Sequence, residues 1–342
     1  MYKVFITGAT GFVGPHIVDF FTKNKVPVTC MVRKTSDTSS IAHLPVTIVY
    51  GDIRDKDRLS VLMKGHKCVI HNAAHVSDWG EWKTFEDINI KGTCNVLEAA
   101  AENRADHVIM TGSISVYGEE NSYKVKDEYS PLNSHYNYFL NTLFPCKMNY
   151  YRDSKKNALV EAQKLSVRYK INLTVIHPGW IFGEGEYNTI FYETVKLIKE
   201  TFPVAMYGAN NLFITYAQDI ARAMYNVYQR KLTGVNNYLV GYSSSIKIKD
   251  INELYCKYAG LKSPVRIPLC IVYPVAFIIE LIYTLLQIKN PPLLTRGRVK
   301  TFYDNLEFST GKIDKELGFI PGYSIEEAIK RTTDWYKNMG IL

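Results

Sequence analysis

No two cysteines of this chain stand in Cys-x-x-Cys spacing; Cys30, Cys68, Cys94, Cys146, Cys256 and Cys270 are scattered through its 342 residues. That scatter excludes the common zinc frames and a dense disulfide scaffold, and it fits reduced thiols in a cytoplasmic protein. No segment is low in complexity and no internal repeat occurs, which excludes tandem arrays and polar linkers. Met1-Tyr2-Lys3 runs directly into Val4-Phe5-Ile6, so a secretory leader is not expected. No basic helix with interleaved aromatics is present either. The formal charge of +8 is spread among interspersed acids, which reads as a basic solvated surface rather than a nucleic-acid footprint. Asn172-Leu173-Thr174 matches a glycosylation sequon but falls in an apolar run, and it reads as chance.

What is present is alternation. Short apolar, β-rich runs over 3–7, 28–32, 47–50, 68–72, 107–111 and 172–177 are separated by amphipathic segments of helical period, such as 15–22, 57–63 and 89–101. Near-continuous apolar strands alternating with helices predict an α/β fold, a doubly wound parallel sheet covered on both faces, with its ligand beyond the strand carboxyl ends. After Gly179 the alternation loosens. Residues 179–212 and 242–342 predict a smaller, mixed α/β substrate domain, while 1–178 and about 213–241 form the dinucleotide-binding domain.

The first strand opens into Thr7-Gly8-Ala9-Thr10-Gly11-Phe12-Val13-Gly14. Gly8 and Gly11 let the backbone turn and approach a diphosphate, Gly14 permits close helix packing, and the following helix N-terminus offers N–H groups to the anion. A carboxylate selective for NAD is expected about 20 residues on, yet the chain has Met31-Val32-Arg33-Lys34 there. Arg33 suits a 2′-phosphate and favours NADP over NAD; the alternative is a solvated strand end. Asp52, in Gly51-Asp52-Ile53, is a candidate acceptor for the adenine amino group or a cap for the next helix.

Three Tyr-x-x-x-Lys pairs occur: Tyr151/Lys155, Tyr192/Lys196 and Tyr258/Lys262. On a helix this spacing puts both side chains on one face, where an ammonium lowers the pKa of a phenol, ordinarily ~10, and makes it a usable base. Only the first pair lies between a hydroxyl cluster at the fifth strand's end, Thr111-Gly112-Ser113-Ile114-Ser115, and the sixth strand. Ser113 is the candidate donor to a substrate oxygen beside Tyr151.

Together with Asn72-Ala73-Ala74, Asn89-Ile90-Lys91-Gly92-Thr93, Val116-Tyr117-Gly118 and Pro178-Gly179-Trp180-Ile181-Phe182-Gly183, these motifs make nearly the whole chain resemble the extended short-chain dehydrogenase/reductases. The resemblance implies a Rossmann sheet and a catalytic set of Ser113, Tyr151 and Lys155, with Lys155 also on the nicotinamide ribose. It implies coenzyme contacts from Gly8, Thr10, Gly11, Phe12, Val13, Gly14, Arg33, Asp52, Ile53, Ala73, Ala74, Thr111, Tyr151, Lys155, Pro178, Gly179 and Ile181. It implies no metal and a homodimer.

The C-terminal third resembles the branch of 3-beta-hydroxysteroid and sterol-carboxylate dehydrogenases, which includes bacterial 3-hydroxy acid dehydrogenases. This implies hydride exchange between NADP(H) or NAD(H) and a secondary alcohol of a hydrophobic substrate. His75, Ser113, Trp180 and Phe182 are the candidate substrate residues. The apolar run 267–288 has three readings: a membrane span, an in-plane membrane contact aided by Lys289, Arg296 and Arg298, or a helix buried against core or subunit. Residues 132–150 are longer and more aromatic than usual in the family, which suggests a lid or an oligomer contact. His177 stands where the family usually has arginine, and it reads as a strand-end core residue. Rival functions are a nucleotide-sugar 4-epimerase, a dihydroflavonol-type reductase and a non-catalytic coenzyme sensor. A 4,6-dehydratase is disfavoured because Ile114-Ser115 follows Ser113 where an Asp-Glu pair is needed.

Overall fold

Every expected apolar run of the first half is a strand in the computed structural model, which describes residues 2–118, 124–187, 189–200 and 204–342. These are β1 (Val4–Thr7), β2 (Val28–Val32), β3 (Val46–Tyr50), β4 (Cys68–His71), β5 (His107–Thr111) and β6 (Asn172–Pro178). With Val235–Val240 they build a seven-stranded sheet in the order Val235–Val240, β6, β5, β4, β1, β2, β3. All pairings are parallel. The order reverses between β1 and β4, which opens a crevice at their carboxyl ends, where ligands of such sheets bind.

Alternate side chains feed two cores. Val4 and Ile6 enter one with Phe21 and Tyr225, while Phe5 enters the other with Leu97 and Leu159, as the period of two along a strand requires. The first core lies under α1 (Gly14–Lys23) and the Ala217–Arg230 helix. The second lies under the helices Lys56–Leu62, Gly92–Glu102 and Met148–Tyr169. Gly92–Glu102 continues from a six-residue π-helix, Glu86–Lys91, where sequence periodicity alone predicts a plain α-helix from Asn89. Such π segments cluster at functional sites.

Among the described residues the remainder is helix-rich, with strands present only as short pairs. Its core is aromatic: Phe182, Phe191, Tyr216, Tyr242, Tyr255 and Tyr336. Residues 132–147 contain no helix or strand and are tied down by polar side chains. Asn149 accepts from Tyr136 N at 3.0 Å and donates to Tyr136 O at 2.9 Å. Ser134 Oγ donates to Asp153 at 2.6 Å, and His135 Nδ1 lies 2.8 Å from the same carboxylate.

The apolar run forms the helix Leu269–Leu285. Among the described residues no helix is long and apolar enough to cross a membrane. Glu280 points inward, 2% exposed, and pairs with Arg296, 1% exposed, at 2.9 Å. The same guanidinium donates to Phe139 O and Phe144 O, so Arg296 clamps the 132–150 segment onto the helix. Arg296 is therefore a buried structural cation and not a surface charge for lipid. Sequence reading misplaced it because its partners lie 16 to 157 positions away.

Candidate active site

The loop after β1 is shaped by steric exclusion. Gly8 has φ +72°, and a Cβ there would sit 2.6 Å from Ala73 N. A Cβ on Gly14 would lie 2.2 Å from Gly8 O. Gly11 differs: its outer face meets only Gly8 O at 3.7 Å, so the cradle is open above it. Helix α1 starts beneath this cradle with no side-chain cap and no acid in its first turn. Its free N–H groups and positive end suit a diphosphate, so the residues present fit a dinucleotide. Thr10 and Phe12 stand partly exposed on the loop, and Val13 is buried in the first core.

At the ends of β2 and β3, Arg33 is exposed. Asp52 accepts from Arg54 N and Nε and pairs with its guanidinium at 2.7 Å. Arg54 first, with a smaller contribution from Arg33, holds the Asp52 carboxyl below its ordinary value. Asp52 does not cap the following helix; that role belongs to Asp55, which accepts from Arg58 N. Ile53 is buried, and its carbonyl accepts from Asn95 Nδ2 at 3.0 Å. Ala73 and Ala74 follow β4, partly buried, at the crevice. Pro178 ends β6, and Gly179 N donates to Thr215 Oγ1 at 2.8 Å. Ile181 packs on the first core.

A polar thread connects the glycine loop to the Met148–Tyr169 helix. Thr93 Oγ1 donates to Asn89 O at 2.6 Å and lies 3.0 Å from His71 Nε2; Thr7 Oγ1 lies 2.9 Å from His71 Nδ1. Because the Thr93 hydroxyl proton is committed to Asn89, Nε2 of His71 carries the ring hydrogen and Nδ1 accepts from Thr7. Burial holds the ring neutral, pushing its pKa down to about 3. The Asn89 side chain accepts from His75 N at 2.7 Å and donates to Ser154 Oγ at 2.9 Å. Ser154 Oγ then donates to Tyr151 O at 2.8 Å. A second bridge runs through Asn72, which donates to Gly8 O at 3.1 Å and accepts from Thr111 Oγ1 at 2.8 Å.

Tyr151 and Lys155 lie one turn apart near the start of the Met148–Tyr169 helix. Lys155 is 6% exposed, and its Nζ donates to Thr111 O at 2.8 Å. Burial lowers its pKa to about 8. Ser113 follows on the same β5 end, its Oγ accepting from Ser115 N at 3.2 Å and lying 2.8 Å from Ser115 Oγ. That leaves its hydroxyl proton free to serve either Ser115 or an incoming oxygen. The other two Tyr-Lys pairs have no such setting. Tyr192 packs on Tyr336 in the aromatic core, and the helix carrying Tyr258 ends at Ala259, before Lys262.

His177 is fully buried behind Ser113, with Nδ1 3.1 Å from Ser113 O and Nε2 3.1 Å from Asn237 Oδ1. Burial first lowers its pKa to about 4, so it is a neutral support, as its strand-end position suggests. His75 is partly exposed, with its ring 4.7 Å from Phe85. Trp180 is partly buried between the second sheet core and the aromatic core. Phe182 is a correction: 1% exposed and enclosed by Phe191, Tyr216 and Tyr242, it packs the core and presents no open face to substrate. Asn72, Asn89, Ser115 and Ser154 join the candidate site through these hydrogen bonds. The Asn-Ala-Ala and Asn-Ile-Lys-Gly-Thr motifs carried the signal for the two asparagines.

The depressed Lys155 pKa makes a stability prediction. Between pH 8 and the unfolded value near 10.4 the unfolded chain holds more protons, so stability rises with pH through this window. Wild type should gain on the order of 3 kcal/mol relative to Lys155→Met across it. Urea unfolding of both proteins at pH 7 and pH 10 checks this; parallel pH responses contradict it.

Comparison with known proteins agrees with this geometry. The family model described as NAD dependent epimerase/dehydratase family matches residues 4–241. A 3beta-hydroxysteroid-dehydrogenase/decarboxylase of Arabidopsis thaliana is 24% identical, covering 98% of this chain and 79% of its own length. A 2-alkyl-3-oxoalkanoate reductase of Shewanella oneidensis is 25% identical over 96% of this chain and 84% of its own. The crystal structure of gox2253 superposes with a TM-score of 0.82 at 25% identity, covering all of both chains. With glycine cradle, parallel sheet and Tyr-x-x-Ser-Lys helix in that family's order, the chain belongs to the NAD dependent epimerase/dehydratase family, the extended short-chain dehydrogenase/reductases.

Proposed function

We propose that this protein is a dehydrogenase/reductase that interconverts a secondary alcohol and a ketone on a hydrophobic substrate, using NADP(H) in preference to NAD(H). The observation that carries the reading is Lys155, buried against the β5 carboxyl end one helical turn from Tyr151, with Ser113 two residues further along that strand end. A bound nicotinamide supplies the hydride chemistry. The chain's own groups handle the proton. Ser113 Oγ donates to the substrate oxygen and polarises it, and Tyr151 OH passes a proton to or from that oxygen. The Lys155 ammonium favours the phenolate and so eases the transfer.

An apolar substrate is supported by the aromatic rings beside Tyr151: its neighbour Tyr150 and Trp82, both partly exposed, lie 6.0 Å apart ring to ring. The Arabidopsis and Shewanella relatives are named for oxidoreductase activities on such compounds. The second reading is a 4-epimerase, which uses the same three residues and is named in the family's own description. A screen of hydrophobic alcohols, ketones and nucleotide sugars, followed by reduced-nicotinamide absorbance, separates them. Net coenzyme turnover with an apolar alcohol or ketone supports the proposal; sugar isomerisation without it supports the epimerase.

Arg33 carries the coenzyme preference. Charge-assisted pairing with a 2′-phosphate contributes roughly 1.5–3 kcal/mol. Arg33→Ala should therefore weaken NADP(H) binding by about 10- to 100-fold and leave NAD(H) nearly unchanged. Titration of both coenzymes by fluorescence checks this, and equal loss for both would remove Arg33 from the selection.

A further inference from the structure

The Leu269–Leu285 helix buries one side only. Val272, Ala276 and Glu280 face the protein, whereas Ile271, Val275, Ile278, Ile282 and Leu285 are 44–66% exposed. Those positions recur at helical spacing, so a helix about 25 Å long presents one continuous apolar stripe. The clamped 132–150 segment widens it: the Phe139 ring lies 5.4 Å from Phe277, and Phe139, Leu140 and Leu143 are exposed. Leu286, at 68%, extends the stripe past the helix end. A patch of this size on a soluble surface marks an interaction face.

Charge selects the occupant. From Gly260 to Lys300 the only acid is Glu280, and Arg296 neutralises it in the interior. The exposed charges bordering the stripe are Lys262 and Arg266 at one end and Lys289 at the other. An isologous contact with a second copy would bring these cations against one another with no carboxylate in the patch to answer them. A bilayer bearing anionic headgroups answers both features, apolar depth for the stripe and negative charge for its rim.

We infer that the 260–293 face, with Phe139, Leu140 and Leu143, docks the folded protein in the plane of an anionic lipid surface. This inference rests on no assignment of coenzyme or substrate. The stripe nevertheless lies close to the site: Trp79 Nε1 donates to Ile288 O at 3.0 Å, and Arg298 NH2 donates to Asp78 at 3.0 Å, joining the loop after His75 to the helix end.

The test is flotation of the full chain with vesicles of phosphatidylcholine alone and of phosphatidylcholine mixed with phosphatidylglycerol. Wild type should float with the anionic vesicles only. Replacing Lys262, Arg266 and Lys289 by Gln should weaken binding about 100-fold, near fivefold for each charge. Ile278→Glu with Ile282→Glu should abolish flotation while thermal melting and coenzyme binding stay at wild-type values. The inference is overturned if wild type fails to float, if it binds neutral vesicles equally, or if the glutamate variant still binds. It is also overturned if sedimentation velocity finds a wild-type dimer that this variant dissolves without any lipid binding. Should the glutamate variant misfold, the three glutamines, all on exposed side chains, decide the matter alone.

Discussion

Tyr151→Phe should lower kcat by about 10²–10⁴-fold, the range for removing a positioned general acid or base. The phenyl ring keeps the volume and the partly exposed position of Tyr151 on its helix and deletes only the hydroxyl. Coenzyme affinity should therefore stay within a few-fold of wild type, because Lys155, Thr111 and the glycine cradle are untouched. Ser113→Ala should fall in the same direction but less far, since it removes one polarising donor and leaves the proton carrier. Stopped-flow turnover beside coenzyme titration reads both quantities. Unchanged turnover in the phenylalanine protein would remove Tyr151 from the chemistry, and the proposed reaction with it.

The second large effect lies in stability. Glu280→Ala should cost about 3–5 kcal/mol, because it leaves the Arg296 guanidinium buried without its counter-charge. Replacing the pair together, Glu280→Met with Arg296→Met, should avoid much of the loss, since an apolar pair of similar bulk carries no desolvation penalty. The double variant should not restore order to residues 139–144, whose carbonyls at Phe139 and Phe144 accept from Arg296. Urea unfolding measures the first two effects, and limited proteolysis of the 132–150 segment measures the third. A double variant less stable than Glu280→Ala would contradict this account of the pair.

What could be read from the chain without coordinates follows from the range of the interactions. Strand positions were legible because burial on both faces leaves β1, β2 and β4 nearly free of polar residues. The glycine loop was legible because only glycine tolerates a backbone carbonyl 2.2 Å from its would-be Cβ, as at Gly14. Tyr151 stood out from Tyr192 and Tyr258 by its place between two strands, a topological cue rather than a local one. The π-helix was not legible, since one shifted hydrogen-bond ring leaves apolar periodicity almost unchanged over six residues. Nor was the inward turn of Arg296, nor the enclosure of Phe182 by rings 9, 34 and 60 positions on. Asp52 as a cap was undecidable because the exact first turn of the following helix sets the role, and the hydrogen bond from Arg58 N gives it to Asp55.

The first sheet core draws on the whole length of the polypeptide. Val4 and Ile6 share it with Ile220, Met224 and Val240, and also with Ile313, Leu317 and Phe319. During synthesis the central strand leaves the ribosome first, while the residues that roof it emerge only near the end of translation. A chain cut after Val240 would carry the complete sheet and still leave bare the surface that Leu317 and Phe319 cover. The sheet and the segments that follow Val240 therefore close one shared core, and until its roof has been synthesised that apolar surface stays exposed to aggregation.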